Sequence, residues 1–278
     1  MRIRMDLGYE GTDFHGWASQ PGLRTVQGTL EAALATLLRV PSVSLVCAGR
    51  TDTGVHARGQ VTHVDVDADV VAQAAGRSTQ PVPEALLPRL NGILPSDVRV
   101  RRVVAAADGF DARFSALWRR YCYRIADRAE TLDPLARRHV LAWPRPLDVE
   151  AMNEASAALL GEHDFASFCR QREGATTIRT LLELGWARDD DGLAVATVRA
   201  DAFCHSMVRS LVGCLLAVGE GRRPVPWAGE ILQAAVRDPS VTVVHAHGLT
   251  LEEVRYPPDD ELAARAAQTR TTRVARHR

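Results

Sequence analysis

The sequence contains no lysine, so each of its 34 basic residues is an arginine. The 34 acidic residues balance them, and the formal net charge is zero at pH 7. A zero total excludes a uniformly basic surface, although one basic face can still lie opposite an acidic one. Every cation is a planar guanidinium, which suits phosphates and base edges. The arginines cluster at several places, for example Arg99 to Arg102, Arg119 with Arg120, and Arg137 with Arg138.

Cysteine pairs and long apolar runs are also missing. The five cysteines are scattered without a CxxC pair, which argues for reduced thiols and against a disulfide framework or a zinc ribbon. No apolar run reaches the length of a membrane span, and the N-terminus MRIRMDLGYEG alternates as a strand does, unlike a signal peptide. The sequence therefore predicts a cytoplasmic protein without a membrane partner. The cysteines are Cys47, Cys122, Cys169, Cys204 and Cys214.

The chain shows a pattern of strands and helices that begins twice. In the first half a strand is expected near the start, followed by an amphipathic helix that Thr25 caps. Near residue 106 the pattern restarts with the strand RRYCYRIAD, and the apolar helix FCHSMVRSLVGCLLAVGEG comes later. We predict subdomains at residues 1–106 and 107–258. Residues 259–278 lack a core-forming pattern, and we expect a basic, disordered tail there.

The segment GRTDTG, between two apolar strand-like runs, carries the first candidate site. Gly49 and Gly54 permit backbone conformations closed to other residues, and the two threonines offer hydroxyls for local hydrogen bonds. A carboxylate at Asp52, beside Arg50, is suited to act as a nucleophile or as an acid-base group. For this segment alone, an ordinary turn aspartate that bonds its own backbone is the alternative.

Arg209 is the only charged residue in the apolar helix MVRSLVGCLLAV, so we expect it to avoid bulk water. A buried, unpaired guanidinium costs several kcal/mol, which requires a carboxylate partner. The pair either stabilises the core or belongs to a cleft that holds a catalytic residue or a phosphate. Tyr121 and Tyr123 lie on one face of a strand flanked by arginines, which suits either core packing or base stacking on RNA.

A metal site is the alternative interpretation of another stretch. His63 and Asp65 have the HxD spacing of an iron(II) facial triad, and His245 or His247 would supply the distal histidine. HxD is short and arises often by chance, and the sequence does not show the many short strands of the matching fold.

P-loop, GxGxxG and GxSxG motifs are missing too, which disfavours nucleotide-dependent and α/β-hydrolase chemistry.

Taken in order, these segments resemble the tRNA pseudouridine synthase A family. LGYEGTDFHGWASQPGLRTVQGTLEAAL is similar to the family's first strand, loop and helix, and CAGRTDTGVHARGQV to the signature around its catalytic aspartate. LNGILPSDVRV, FDARFSALWRRYCYRI, GEHDFASFC, TIRTL and AFCHSMVRSLVG follow in the family's order. The resemblance covers about residues 2 to 257, with Thr53 in place of the family's usual alanine. Residues 73–88 and the C-terminal tail match poorly.

The resemblance implies an α+β fold of two similar halves, whose antiparallel sheets form one continuous central sheet with helices on one side and an RNA-binding cleft on the other. It implies isomerisation of uridine to pseudouridine in the anticodon stem-loop of tRNAs, at positions 38, 39 and 40 in the family, without a cofactor or metal. A homodimer that binds tRNA and no DNA is expected as well. A tRNA-binding module that has lost catalysis is the alternative from another class.

The resemblance also implies roles for individual residues. Asp52 falls at the family's nucleophile, and Arg50 at the arginine that helps to position the flipped nucleotide. Tyr121 falls at the tyrosine that stacks on the target base, and Arg209 at the arginine that pairs with the aspartate. A leucine that packs against the base is expected at Leu249, with Leu251 as the alternative.

Overall fold

The structure is a computed structural model that describes residues 1–170 and 176–270 of the chain. Ten strands lie in these ranges: β1 (Arg2–Tyr9), β2 (Leu45–Cys47), β3 (His56–Asp65), β4 (Val98–Ala105), β5 (Trp118–Ala126), β6 (Leu141–Ala142), β7 (Gly161–Asp164), β8 (Ile178–Arg188), β9 (Ala194–Ala200) and β10 (Leu249–Arg255). Seven α-helices accompany them in the same ranges: α1 (Val26–Leu38), α2 (Ala68–Ala75), α3 (Leu86–Ile93), α4 (Val149–Ala157), α5 (Met207–Gly219), α6 (Trp227–Ala234) and α7 (Leu262–Arg270).

Two compact units divide the described chain. Unit 1 consists of Met1–Leu117 together with the described residues from Leu251 onward, and unit 2 consists of Trp118–Thr250. The chain thus passes from one unit to the other at the start of β5 and inside β10. These ranges do not coincide with the subdomains 1–106 and 107–258, which stay a prediction.

The strands are hydrogen-bonded in the order β4-β1-β3-β10-β5-β9-β8-β7, with β2 added to β3 and β6 added to β5. The predicted α+β class is confirmed. The sheet is mixed and not purely antiparallel, because β6 pairs with β5 in parallel. The connection between these two strands is long enough for the crossover that parallel pairing needs. The placement of helices on one side and of an RNA-binding cleft on the other stays a prediction.

The core of unit 1 follows from the alternation of β1, as expected from the sequence. Ile3, Met5 and Leu7 are almost completely buried, while the polar residues between them are partly exposed. The helix α1 begins after Thr25, whose side chain accepts a hydrogen bond from Gly28 N at 3.2 Å. This confirms the predicted cap, which satisfies a backbone donor at the start of the helix.

The core of unit 2 is built around α5, whose residues are all buried except Arg209. Gly213 makes this packing possible, because a Cβ there would lie 1.8 Å from Thr242 O. Asn153 joins α4 to β8: its side chain accepts from Trp186 N at 2.7 Å and donates to Trp186 O at 2.9 Å. The predicted apolar helix is therefore confirmed as α5. The neighbouring helix α4 is hydrogen-bonded to the sheet through Asn153.

The C-terminal residues correct the expectation of a disordered tail. They form α7, in which Leu262 and Ala266 are buried on one helical face. At its end, the Arg270 guanidinium pairs with the Asp111 carboxylate at 3.0 Å. Residues four positions apart share one face of a helix, so these two side chains are buried together although the sequence shows no conspicuous apolar run. Residues 271–278 of the predicted tail lie outside the described residues.

Two of the five cysteines lie next to each other in unit 2. The Cα atoms of Cys169 and Cys204 are 5.7 Å apart, a separation that a disulfide can span. They are 35 residues apart in the sequence, so spacing alone does not reveal their proximity. Cys47, Cys122 and Cys214 are buried, and the reduced state of the thiols stays a prediction.

We expect oxidation of Cys169 and Cys204 to a disulfide to raise the free energy of unfolding by about 3–4 kcal/mol, because a cross-link across such a loop restricts the unfolded chain. Urea unfolding of oxidised and dithiothreitol-treated protein measures the difference. Cys169→Ser should abolish the difference, whereas Cys122→Ser should keep it. Equal stability in both redox states of the wild type would show that these two thiols are not joined in solution.

Candidate functional site

The GRTDTG loop connects β2 to β3 in unit 1 and presents a half-buried carboxylate. Thr51 is buried, Asp52 is half-buried and Arg50 is exposed. Backbone hydrogen bonds hold both sides of the turn: Trp17 N donates to Thr51 O at 3.0 Å, and Val55 N donates to Asp52 O at 3.1 Å. The main chain of Asp52 is therefore fixed, while the neighbouring Arg50 faces solvent.

A buried side-chain network holds the same loop from two strands. The hydroxyls of Tyr9 and Thr51 are hydrogen-bonded at 2.7 Å. Gln60 donates from Nε2 to Gly49 O at 2.7 Å and to Tyr9 Oη at 3.3 Å. Tyr9, Thr51 and Gln60 are 5%, 7% and 0% exposed. Tyr9 belongs to β1 and Gln60 to β3. The loop is therefore hydrogen-bonded to β1 through Thr51 and to β3 through Gly49.

No local pattern of the sequence predicts this network, because the side on which Gln60 lies depends on strand pairing. Gln60 pairs with Leu7 across β1 and β3, so its side chain lies on the core face of the sheet. A polar amide at an inward strand position needs hydrogen-bond partners, because burying it unpaired is costly. The inward position of Gln60 therefore indicates a buried polar network next to the loop.

Gly16 makes the loop's close packing possible. Its φ is +83°, a left-handed conformation that L side chains rarely adopt. A Cβ at this position would also lie 3.0 Å from Thr51 O and 3.2 Å from Thr53 N. The turn-rich segment after β1 therefore presses directly on the backbone beside Asp52, which only glycine permits.

Tyr121 and Tyr123 lie on β5 in unit 2, and both are buried. The Tyr123 hydroxyl donates to His245 O at 2.6 Å, and burial raises the pKa of Tyr123 above its ordinary value. Tyr123 is thus a core residue. The ring of Tyr121 meets Phe203 edge-on, with ring centroids 5.2 Å apart and an interplanar angle of 90°. The two tyrosines of this strand face therefore differ in their contacts: Tyr123 is hydrogen-bonded through its hydroxyl, and Tyr121 packs against an aromatic ring.

Arg209 is half-buried on α5, and its Nε donates to Val244 O at 2.7 Å. This bond ties the helix to the segment that leads into β10, where Leu249 is 5% exposed. Leu251 is completely buried. The carboxylate partner of Arg209 and the roles of the two leucines stay predictions. Arg50 and Asp52 share one loop of unit 1, whereas Tyr121, Arg209 and Leu249 belong to β5, α5 and β10.

The iron(II) alternative is not supported by the side chains that it needs. His63 is buried, and its Nδ1 accepts a hydrogen bond from Ala112 N at 3.0 Å. Burial also lowers the pKa of His63. Asp65 is exposed and accepts two hydrogen bonds from Arg2, at 2.8 and 2.6 Å. Within residues 1–170 and 176–270, no group of three or more histidine, cysteine, aspartate or glutamate side chains is arranged to hold a metal ion.

None of the helices that the structure describes is both long and apolar enough to cross a membrane.

Thr51→Val is expected to lower the free energy of unfolding by about 1–3 kcal/mol, because it leaves the buried Tyr9 hydroxyl without this partner. Thr62→Val is the matched control. The Thr62 hydroxyl is buried without a hydrogen-bond partner among the described residues, so its loss should cost nothing or stabilise the protein. Urea unfolding compares the two variants. In a double-mutant cycle, Tyr9→Phe and Thr51→Val should destabilise less together than the sum of their separate effects. Full additivity, or equal costs for the two valine variants, would contradict the network.

Known proteins resemble this chain over nearly its whole length. A family model described as tRNA pseudouridine synthase matches residues 155–257. The tRNA pseudouridine synthase A of Frankia casuarinae is 59% identical over 274 residues, which cover 99% of this chain and 96% of that protein. The protein of the same name from Streptomyces griseus is 58% identical over 276 residues, with 99% and 94% covered. That from Mycobacterium leprae is 53% identical over 276 residues, with 98% and 96% covered.

Proposed function

The chain belongs to the tRNA pseudouridine synthase A family, and we propose that it isomerises uridine to pseudouridine in the anticodon stem-loop of tRNA, with Asp52 as the essential catalytic group and without a cofactor or metal. The observation that carries the proposal is the loop around Asp52. Its main chain is held by hydrogen bonds on both sides, and its neighbour Thr51 is bonded to Tyr9. A half-buried carboxylate on a rigid loop meets the positional demand of catalysis.

The reaction requires little more than a well-placed carboxylate. The N-glycosidic bond between N1 and the ribose C1′ breaks, the base rotates, and a bond forms between C5 and C1′. A proton leaves C5 and N1 gains one, so the product is an isomer and no oxidant or reductant is consumed. Asp52 either attacks C1′ as a nucleophile or abstracts the C2′ proton as a base.

The target nucleotide must leave the base stack before the carboxylate can reach its ribose. Unstacking costs a few kcal/mol, which aromatic stacking and phosphate contacts offset. We assign Tyr121, whose ring meets Phe203 edge-on, to stacking on the freed base on the resemblance alone. The exposed Arg50, two residues before Asp52, is suited to a phosphate or base contact. Arg209 and Leu249 are proposed as substrate-binding residues on the resemblance alone.

The proposal extends to the assembly and the location of the enzyme. It includes a homodimer that binds tRNA in the cytoplasm, with no DNA partner. These parts rest on the family resemblance. Sedimentation of the purified protein with and without tRNA measures the number of chains in the free and bound states.

Asp52→Asn is expected to abolish pseudouridine formation while tRNA binding stays within about threefold of wild type, since it removes the carboxylate and keeps the side-chain size. The measurement is to incubate unmodified tRNA transcript with each protein and to map pseudouridines along the RNA. Asp65→Asn is the matched control, because Asp65 is an exposed carboxylate on β3 paired with Arg2.

Full activity of Asp52→Asn would overturn the assigned role of Asp52. Loss of activity in Asp65→Asn, with one bound iron per chain in the wild type, would instead favour the metal alternative. Binding of tRNA without any product from the wild type would mean that the chain is a binding module.

A further inference from the structure

The arginine clusters named in the sequence analysis have different environments in the structure. Arg119 is buried, and its Nη1 donates to Asp201 O at 2.7 Å, so it stabilises the fold. Arg137 donates from Nη1 to Pro134 O within its own turn. In the cluster Arg99–Arg102, all three arginines are exposed on β4, which ends the sheet. Of the three clusters compared, this one presents all of its arginines together on a rigid strand.

A β-bulge determines how many arginines β4 exposes. In its pairing with β1, Val100 lies opposite Leu7 and Arg102 lies opposite Asp6, so Arg101 is an extra residue. Strict alternation would turn Arg102 toward the core after the buried Val100. The extra residue shifts the pattern, and Arg101 and Arg102 are both exposed. The bulge thus puts two consecutive guanidinium groups on the outer surface of unit 1.

The sheet surface beside this strand is shaped to accept an arginine lying across it. Arg99 pairs with Gly8, which has no side chain to cover the sheet there. The Arg101 Nη2 lies 3.4 Å from the place where a Cβ on Gly8 would be, and its Nη1 donates to Arg58 O at 3.0 Å. Arg58 in turn pairs with Glu252 at 2.8 Å. The arginine patch, defined as Arg58, Arg99, Arg101 and Arg102, is therefore partly held in place by the fold.

The arginine patch has more positive than negative charge. Glu252 offsets Arg58, but within the described residues no acidic side chain forms an ion pair with Arg99, Arg101 or Arg102. Side chains two positions apart on a strand face are about 7 Å apart, so neighbouring guanidinium groups can reach successive acceptors. Planar guanidinium groups bind phosphate oxygens in pairs of hydrogen bonds. We propose that the arginine patch binds the phosphate backbone of the tRNA substrate, an inference that rests on the proposed function.

The test uses the double variant Arg99→Gln with Arg102→Gln, which removes two charges whose side chains hold no other part of the fold. Binding of unmodified tRNA transcript is measured over a range of salt concentrations. We expect affinity to fall by about tenfold at low salt, and the slope of log K against log salt to become shallower by about 0.7–0.9 for each phosphate that the variant no longer binds. The KM for tRNA should rise while kcat at saturating tRNA stays unchanged, because the arginines bind the RNA equally before and during reaction.

The matched control is Arg39→Gln with Arg128→Gln, which removes the same charge from exposed arginines outside β4. A salt slope that stays at the wild-type value in the patch variant, or that falls equally in the control, would overturn the proposal. Pseudouridine formation by the wild type is followed separately. If the patch variant keeps the wild-type salt slope and the wild type forms product, only the proposed role of the arginine patch is contradicted. If the patch variant has a reduced slope and the wild type forms no product, the proposed reaction is contradicted, and the arginine patch is supported as an RNA-binding surface.

Discussion

The hydrogen bond between the hydroxyls of Tyr9 and Thr51 is the contact on which the candidate site of unit 1 depends. It joins the last residue of β1 to the residue before Asp52, and Gln60 extends it to the beginning of the loop. Gly16 closes the other side by direct contact with the loop backbone. A carboxylate that is only half-buried thereby gains a defined position from neighbours that are buried, and a rigid position is what a reacting group requires.

In unit 2, polar side chains anchor the segment before β10 in a similar way. Arg209 donates to Val244 O, and Tyr123 donates to His245 O, so two successive carbonyls are each bonded to a side chain of unit 2. Buried polar groups are tolerated when they are hydrogen-bonded, and these two pairs satisfy donors and acceptors together. The segment leading into Leu249 is therefore positioned by one helix and one strand of the same unit.

A chain whose cations are all arginine uses the guanidinium for two different purposes. The buried side chain of Asp127 is paired with Arg188, and the buried Arg119 is bonded to a backbone carbonyl, so both arginines stabilise the core. The guanidinium is weakly hydrated and planar, which suits such partly buried positions. On β4 the same side chain is exposed, because a bulge turns it outward. Its environment in the fold, and not its residue type, separates a structural arginine from one that is exposed to solvent.

The local elements and the candidate residues follow from the sequence alone. The alternation of β1, the Thr25 cap and the apolar helix around Arg209 follow from the geometry of consecutive residues, and the ordered motifs were sufficient to predict the family and to single out Asp52. Three contacts depend on the packing of distant segments: Tyr9 with Thr51, 42 residues away, Cys169 beside Cys204, and α7 within unit 1. Periodicity records which face of an element is buried, but contacts between distant segments depend on how the elements pack, and a single sequence does not encode that packing in any local pattern.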